Sequence, residues 1–413
     1  MFTEKTETMI RKPYKLGATT GTIKREKIVS RIEIDQVLKL LENQSVRVEE
    51  IRRMGKTMLV QKLEYRTQNE ELGNKAVYFI LQGVKGLDEL TDNLLEQLLK
   101  YSSKPWLKTK FKSLKDFYKR VKPSEIDIKG MKFSTHEFAG RWKESLGAIL
   151  KDIAERSNEK DEVFTLILDE LPLMLWDWIK AGKAHDAMQL LDELRKLRYQ
   201  FKEEGKIRYL ICGSVGMNVV LSKLRDDHGY TGEPFNDFEI FSLGNMTRKD
   251  ARFLCECLFL SGFEADVDKE KCMDLILEYS SRLPYFIHKI FSYLNLNCSS
   301  KLSRDNIELA IKDILENHQN SACEVFDQLT NRLSIYYPIR EEKAMKILEM
   351  ICQKDSVDEK ELLNSTDIEK KELLETLEVL QKEQYLTRNI INERRHYSFK
   401  YKIIKRWWRI NKV

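Results

Sequence analysis

With 413 residues, 42% hydrophobic and 33% charged, the chain has the composition of two or three folded domains and not of a disordered polymer. No apolar run reaches the roughly 18 residues a membrane helix needs, and the polar start MFTEKTETMIRKPYK has no signal core, so a cytoplasmic chain without a membrane partner is expected. Seven scattered cysteines without a C-x-x-C pair read as reduced, buried thiols, and six histidines without ligand spacing argue against a zinc enzyme. The net charge is +5, yet the last twenty residues carry eight Lys or Arg and no acid; without them the chain stands at −3, so its basic character is local.

Residues 1–20 are polar and aperiodic and read as an arm. SRIEIDQVLKLLEN carries apolar residues at helical spacing and ends at Asn43. QSVRVEE is short and β-branched, with Val46 and Val48 on one strand face. IRRMGKT follows, then MLVQKLEYRTQ as a helix. AVYFILQG and LDELTDNLLEQLLK repeat the strand–helix alternation, which predicts a parallel sheet covered by helices. Residues 104–122, KPWLKTKFKSLKDFYKRVK, are basic with interleaved aromatics: either a solvated helix with its aromatics turned inward, or a contact for nucleic acid or another anionic partner. VFTLILDELP is a buried strand ending in Asp169 and Glu170. DAMQLLDELRKLRYQFKEEG is a long helix, and IRYLICGSVGM another buried strand ending in Gly213 and Ser214. From about residue 246 no strands are expected, only the amphipathic helices of MTRKDARFLCECLFLSGF, KEKCMDLILEYSSRLPYFIHKIFSYL and SRDNIELAIKDILENHQ. The last stretch supplies three short helices, EEKAMKILEMICQ, VDEKELLNS and EKKELLETLEVLQKEQYL, and an alternating TRNIINERRHYSFKY with a turn at Asn392, the ingredients of a winged helix.

The strand–turn–helix around IRRMGKT is the setting a phosphate-binding loop requires. Arg52, Arg53, Met54, Gly55, Lys56, Thr57 and Met58 would form the nucleotide-binding segment. Lys56 can reach the β and γ phosphate oxygens, the Thr57 hydroxyl can hold Mg²⁺, and Gly55 lets the backbone approach. The helix that starts near Lys56 points its positive end at the anion. Asp169 would hold Mg²⁺ through water, and Glu170 would orient and deprotonate the attacking water; the blander reading is a buried strand that merely ends in acids. Ser214 either senses the γ-phosphate or simply forms a tight turn. Arg225, Arg248 and Arg252 are candidates to reach the γ-phosphate of a neighbouring subunit in a nucleotide-dependent oligomer.

The block R-R-x-G-K-T, the strand ending LDELP, the Gly-Ser after the next strand and the C-terminal YSFKYKIIKRWWRIN together resemble the archaeal-type ATPases of the STAND/AAA+ group, which also occur in bacteria. REKIVSRIEIDQVLKLLEN is similar to that family's F-x-G-R-E entry segment, with Ser30 in place of its glycine, and SRLPYFIHKI to its G-x-P segment, with Arg282 in place of glycine. The resemblance implies an α/β P-loop NTPase core with a parallel sheet and helices on both faces, an α-helical lid and a C-terminal winged-helix domain. The expected divisions are an arm at 1–20, the core at 21–243, the lid at 244–332 and the winged helix with its basic tail at 333–413. Pro284 would let the lid touch the nucleotide.

One departure concerns the chemistry. Glu50 stands where the first glycine of G-x-x-x-x-G-K-[ST] belongs. A carboxylate aimed at the β-phosphate would oppose it by about a kcal/mol or more. With Lys56, Thr57, Asp169 and Glu170 all present, the expected arrangement has Glu50 turned away or paired with Arg52 or Arg53. At the C-terminus, Arg394, Arg395, Lys400, Lys402, Lys405, Arg406 and Arg409 could contact double-stranded DNA, or the segment could serve protein contact or packing, with Trp407 and Trp408 as core. The acidic helix EKKELLETLEVLQKE argues against tight reading of a major groove. The expected function is an ATP- and Mg²⁺-dependent switch with weak or regulated hydrolysis, acting on an effector protein or DNA. An origin-recognition-like DNA-binding ATPase and a non-hydrolysing scaffold with a degenerate loop are the alternatives.

Overall fold

The parallel sheet expected from the β/α alternation is present in the computed structural model, which describes residues 23–104, 135–201, 206–265 and 268–413. The arm at 1–20 and residues 105–122 of the basic aromatic segment lie outside the described residues. The chain divides into two compact units: a sheet unit of Glu33–Glu49 and Val60–Ser242, and a C-terminal unit of Met1–Ile32, Glu50–Leu59 and Leu243–Val413.

The sheet unit opens on helix α1 (Ile32–Leu41), which buries Ile34, Val37 and Leu41 at the spacing of one helix face. Strand β1 (Val46–Glu49) follows, and the chain re-enters the unit in helix α2 (Lys56–Asn69). Next come β2 (Asn74–Ile80), α3 (Leu87–Leu98), α4 (Thr135–Glu159) and β3 (Val163–Asp169). Helices α5 (Leu171–Lys180) and α6 (Ala184–Gln200) lead to β4 (Ile207–Gly213), α7 (Met217–His228) and β5 (Glu239–Ser242). The strands lie in the order β2-β3-β4-β1-β5, all parallel. β3 is buried at every position, as a strand covered on both faces must be. Helices α4, α5 and α7 and strand β5 have no counterpart in the sequence reading. The run LPLMLWDWIK has only Asp177 and Lys180 as polar residues and follows directly on the strand, and EIFS is a short, mostly exposed edge strand.

The C-terminal unit contains α8 (Arg248–Phe259), α9 (Lys269–Tyr279), α10 (Pro284–Asn297), α11 (Arg304–Glu316) and α12 (Cys323–Tyr336). Strands do not vanish after residue 246. A pair of two-residue strands, β6 (Glu264–Ala265) and β7 (Lys301–Leu302), lies parallel between these helices, too short to leave a period in the sequence. The stretch read as one helix through SSRLP breaks between α9 and α10, where Ser281 and Arg282 adopt left-handed backbone with φ of 52° and 54°. Both positions take the left-handed form that glycine adopts most readily.

The elements assigned to a winged helix occur in the expected order: α13 (Glu341–Gln353), β8 (Val357–Asp358), α14 (Glu359–Ser365), α15 (Lys370–Lys382), β9 (Leu386–Ile391) and β10 (Arg394–Phe399). The three strands form an antiparallel sheet in the order β8-β10-β9. Asn392 and Glu393 close the β9–β10 hairpin with φ of 47° and 63°, the two left-handed residues that a tight hairpin turn demands. The basic tail is helix α16 (Lys402–Asn411). It buries Ile403, Ile404, Trp407 and Trp408, and turns Lys402, Arg406 and Arg409 outward. Trp407 stacks on Phe326 of α12, centroids 4.9 Å apart, so both tryptophans are core.

Candidate nucleotide site

At the carboxyl edge of the sheet, Asp169 of β3 is in register with Cys212 of β4, and Glu49 of β1 with Gly213. Asp169 is buried; the Tyr78 hydroxyl donates to it at 2.8 Å and the Cys212 thiol at 3.0 Å. Burial, then the Asp169 charge, pushes the Tyr78 hydroxyl well above the usual tyrosine range, so it stays a donor. Glu170 leaves the strand with φ of 62°, a left-handed turn that re-aims its side chain. Its carboxylate accepts from both the backbone N–H and the hydroxyl of Ser214, each at 2.8 Å. Gly213 is required here: a Cβ would lie 2.8 Å from Cδ of Pro172. Ser214, read as a phosphate sensor, is thus a partner of Glu170.

The loop from Glu50 to Gly55 belongs to the C-terminal unit. Ile51 and Met54 anchor it in that unit's core. Arg53 is left-handed at φ 66° and lies over the Tyr285 ring at 5.4 Å. Gly55, at φ 89°, takes a backbone form that side chains avoid, and a Cβ there would meet Cγ of Pro284 at 3.3 Å. Pro284 thus lies against the loop. Helix α2 starts at Lys56, so its first-turn N–H groups lack intrahelical partners and face the loop. The Lys56 ammonium is buried and folded back onto the carbonyls of Glu50, at 2.5 Å, and Ile51, at 2.7 Å. Thr57 and Met58 are half-buried.

Glu50 is paired, but its ion-pair partner is Lys400, at 2.6 Å, in place of Arg52 or Arg53. The Glu50 side chain is 0% exposed and also accepts from the N–H of Gly244 at 3.3 Å. Tyr401 is buried beside it; burial and then the Glu50 charge push its hydroxyl well above the usual range. Arg31 donates to the carbonyls of Met54, at 3.4 Å, and Gly244, at 3.3 Å, closing the same knot.

Beside Gly55, an apolar cleft is lined by Ile28, Val29, Met58, Leu59, Met246 and Pro284, with Lys27, Arg31 and His288 as its polar side chains. His288, Lys400 and Tyr401 were not singled out for the loop by sequence reasoning. A lone histidine on an apolar helix and a lysine 350 positions away carry no local signal.

The other candidates are placed as follows. Arg225 is exposed near the end of α7. Arg248 pairs with Asp274 at 2.8 Å, and Arg252 pairs with Asp274 at 3.1 Å and with Glu270. Of the basic tail, Arg394 pairs with Asp358 at 3.7 Å, Arg395 with Glu359 at 3.3 Å and Lys405 with Asp355 at 2.7 Å, while Arg406 lies over the Tyr279 ring. Among the described residues no cluster of three His, Cys, Asp or Glu could hold a metal by itself. Thr57, in the C-terminal unit, and Asp169, in the sheet unit, each carry a hard oxygen donor of the kind that Mg²⁺ takes.

A parallel sheet whose first strand runs into a G-K-T turn and whose third strand in chain order, β3, ends in Asp-Glu defines the P-loop ATPase fold. Among solved structures, the chain is similar to the Walker-type ATPase PABY2304 of Pyrococcus abyssi, with a TM-score of 0.55 and 17% identity, over 94% of this chain and 97% of that one. The RuvB Holliday junction branch migration motor of Thermotoga maritima matches at a TM-score of 0.36 and 11% identity, over 86% and 87%, too distant to carry an argument. No family model matches the chain, and no curated protein does. The common ground with the archaeal ATPase is the fold, shared along nearly the whole chain.

Proposed function

We propose that the chain is an ATP-binding switch of the STAND/AAA+ type whose C-terminal winged helix and tail respond to the phosphate loop. The observation that carries this reading is the knot at Glu50. Lys56 rests on the carbonyl of Glu50, and the carboxylate of the same residue holds Lys400. Phosphates that draw Lys56 away from those carbonyls would disturb the residue tethering the tail. A glycine at position 50 would carry no such tether.

In this reading the first-turn amides of α2 and Lys56 bind phosphate, and the base enters the cleft beside Gly55 and Met58. Thr57 and Asp169 are the residues that would hold Mg²⁺, which would supply charge neutralisation to the phosphates. Glu170 takes the proton of the attacking water. Because Ser214 occupies its carboxylate, turnover is slow until that grip loosens. An arginine from a second copy, with exposed Arg225 the best placed of the three candidates, would complete the charge stabilisation. The output goes to an effector protein.

Equilibrium binding of labelled ATP with Mg²⁺ tests the core of this reading. The wild type should bind, Lys56→Ala should lose at least tenfold, and Glu170→Gln should bind but release no phosphate. Equal binding by wild type and Lys56→Ala would overturn it.

A second reading has one observation behind it. Lys402, Arg406 and Arg409 form an exposed basic stripe on α16. A duplex DNA contact there would be salt-sensitive and would be lost on charge reversal of Lys402 and Arg409, with ATP affinity unchanged. Duplex binding insensitive to that reversal would exclude it.

A further inference from the structure

His288 is 5% exposed, and its Nδ1 has no hydrogen-bond partner among the described residues. It sits in α10, in the wall of the cleft beside Gly55, Met58 and Leu59. The rest of the wall is apolar apart from Lys27 and Arg31. Buried polar atoms are rarely left unpaired, because each costs the folded state the water it gave up.

Resting on the nucleotide-binding reading above, we propose that His288 reads the base: its unpaired ring nitrogen hydrogen-bonds the edge of the adenine that the cleft receives. The geometry is economical. The cleft lies against Met58 and Leu59 in the first turn of α2, next to the residues proposed to hold the phosphates. Ile28, Val29, Met246 and Pro284 offer apolar contact to the ring faces, leaving the edge to be met by a polar group. Burial lowers the imidazole pKa to about 4, so near neutrality the ring is uncharged, with one donor and one acceptor nitrogen. Nδ1 can therefore serve a base edge as either donor or acceptor, according to the tautomer. Lys27 and Arg31 offer only donors.

The test uses the full chain and two probes with Mg²⁺: ATP, and inorganic tripolyphosphate, which has no base. Affinities are measured for wild type, His288→Leu, His288→Gln and Lys56→Ala, together with thermal midpoints without nucleotide. His288→Leu should weaken ATP about tenfold, the effect of one lost hydrogen bond of ordinary strength, and leave tripolyphosphate unchanged. Its nucleotide-free midpoint should hold or rise, since an unpaired buried polar group has gone. His288→Gln, which keeps a donor and an acceptor, should stay within about threefold of wild type for ATP. If His288→Leu binds ATP as tightly as wild type while Lys56→Ala does not, the base assignment fails and the nucleotide reading stands. If it weakens both probes equally, His288 only supports the fold. If the wild type binds neither probe, the nucleotide reading itself has failed.

Discussion

Glu50 shows how a single residue can be legible in type but not in role. The G-K-T motif is local, and its setting between a strand and a helix could be read directly, as could the acids that end β3. The misfit at position 50 was equally visible. Its partner was not, because Lys400 lies 350 positions away and only the fold brings the two together. The pair is buried, with side-chain exposures of 0% for Glu50 and 13% for Lys400. Removing one partner from such a pair leaves an uncompensated charge, so Glu50→Ala should destabilise the C-terminal unit by about 3 kcal/mol, measured by urea unfolding. Glu50→Leu with Lys400→Met should recover most of the loss. If Glu50→Ala alone proves neutral, the pair is not the tether described above. His288 adds a pH dependence. Burial holds its folded pKa at about 4, below the ordinary 6.5. The unfolded chain therefore binds the proton first, so stability is complete above pH 6.5 and is lost as pH falls toward 4. Between pH 7 and pH 5 the loss should be about 2 kcal/mol, and His288→Leu should abolish that part of the slope.

Elements with a clear signal, of apolar spacing or of the G-K-T setting, were readable: α1, α2, α6, α8, α11 and the buried strands β2, β3 and β4. Those without one were not. Helix α5 has only Asp177 and Lys180 as polar residues, β5 is a short edge, and β6 and β7 are two residues each. The Asp-Glu strand end also hides a packing demand that pattern cannot reveal. Gly213 lies against Pro172 of α5, at a distance that leaves no room for a methyl group. Gly213→Ala should cost about 1–3 kcal/mol and loosen Glu170, seen as a lower melting temperature of the sheet unit and altered phosphate release. Unchanged melting would mean that α5 shifts freely. At the other end, eight basic residues in twenty suggest a solvated arm by composition, but α16 is amphipathic and its tryptophans are core. Trp407→Ala, which removes the stack on Phe326, should destabilise the C-terminal unit by about 3–5 kcal/mol in denaturant unfolding.

For the whole molecule, the informative fact is the company the phosphate loop keeps. Residues Glu50–Leu59 group with Leu243–Val413 and share one hydrophobic cluster with α16. Composition and periodicity place the loop with the sheet that precedes it, because the chain reaches it from β1; only the packing of Ile51 and Met54 shows otherwise. A loop built into the unit that carries the tail is what a switch would use, since a ligand can shift an equilibrium only through contacts that differ between its states. The most direct measurement is amide hydrogen exchange of residues 400–411 with and without saturating ATP and Mg²⁺, in wild type, Lys56→Ala and Glu50→Gln. The proposed coupling predicts a change in protection of that segment on ATP addition in the wild type, none in Lys56→Ala, and a reduced change in Glu50→Gln. ATP that binds the wild type and leaves exchange at 400–411 untouched would contradict it.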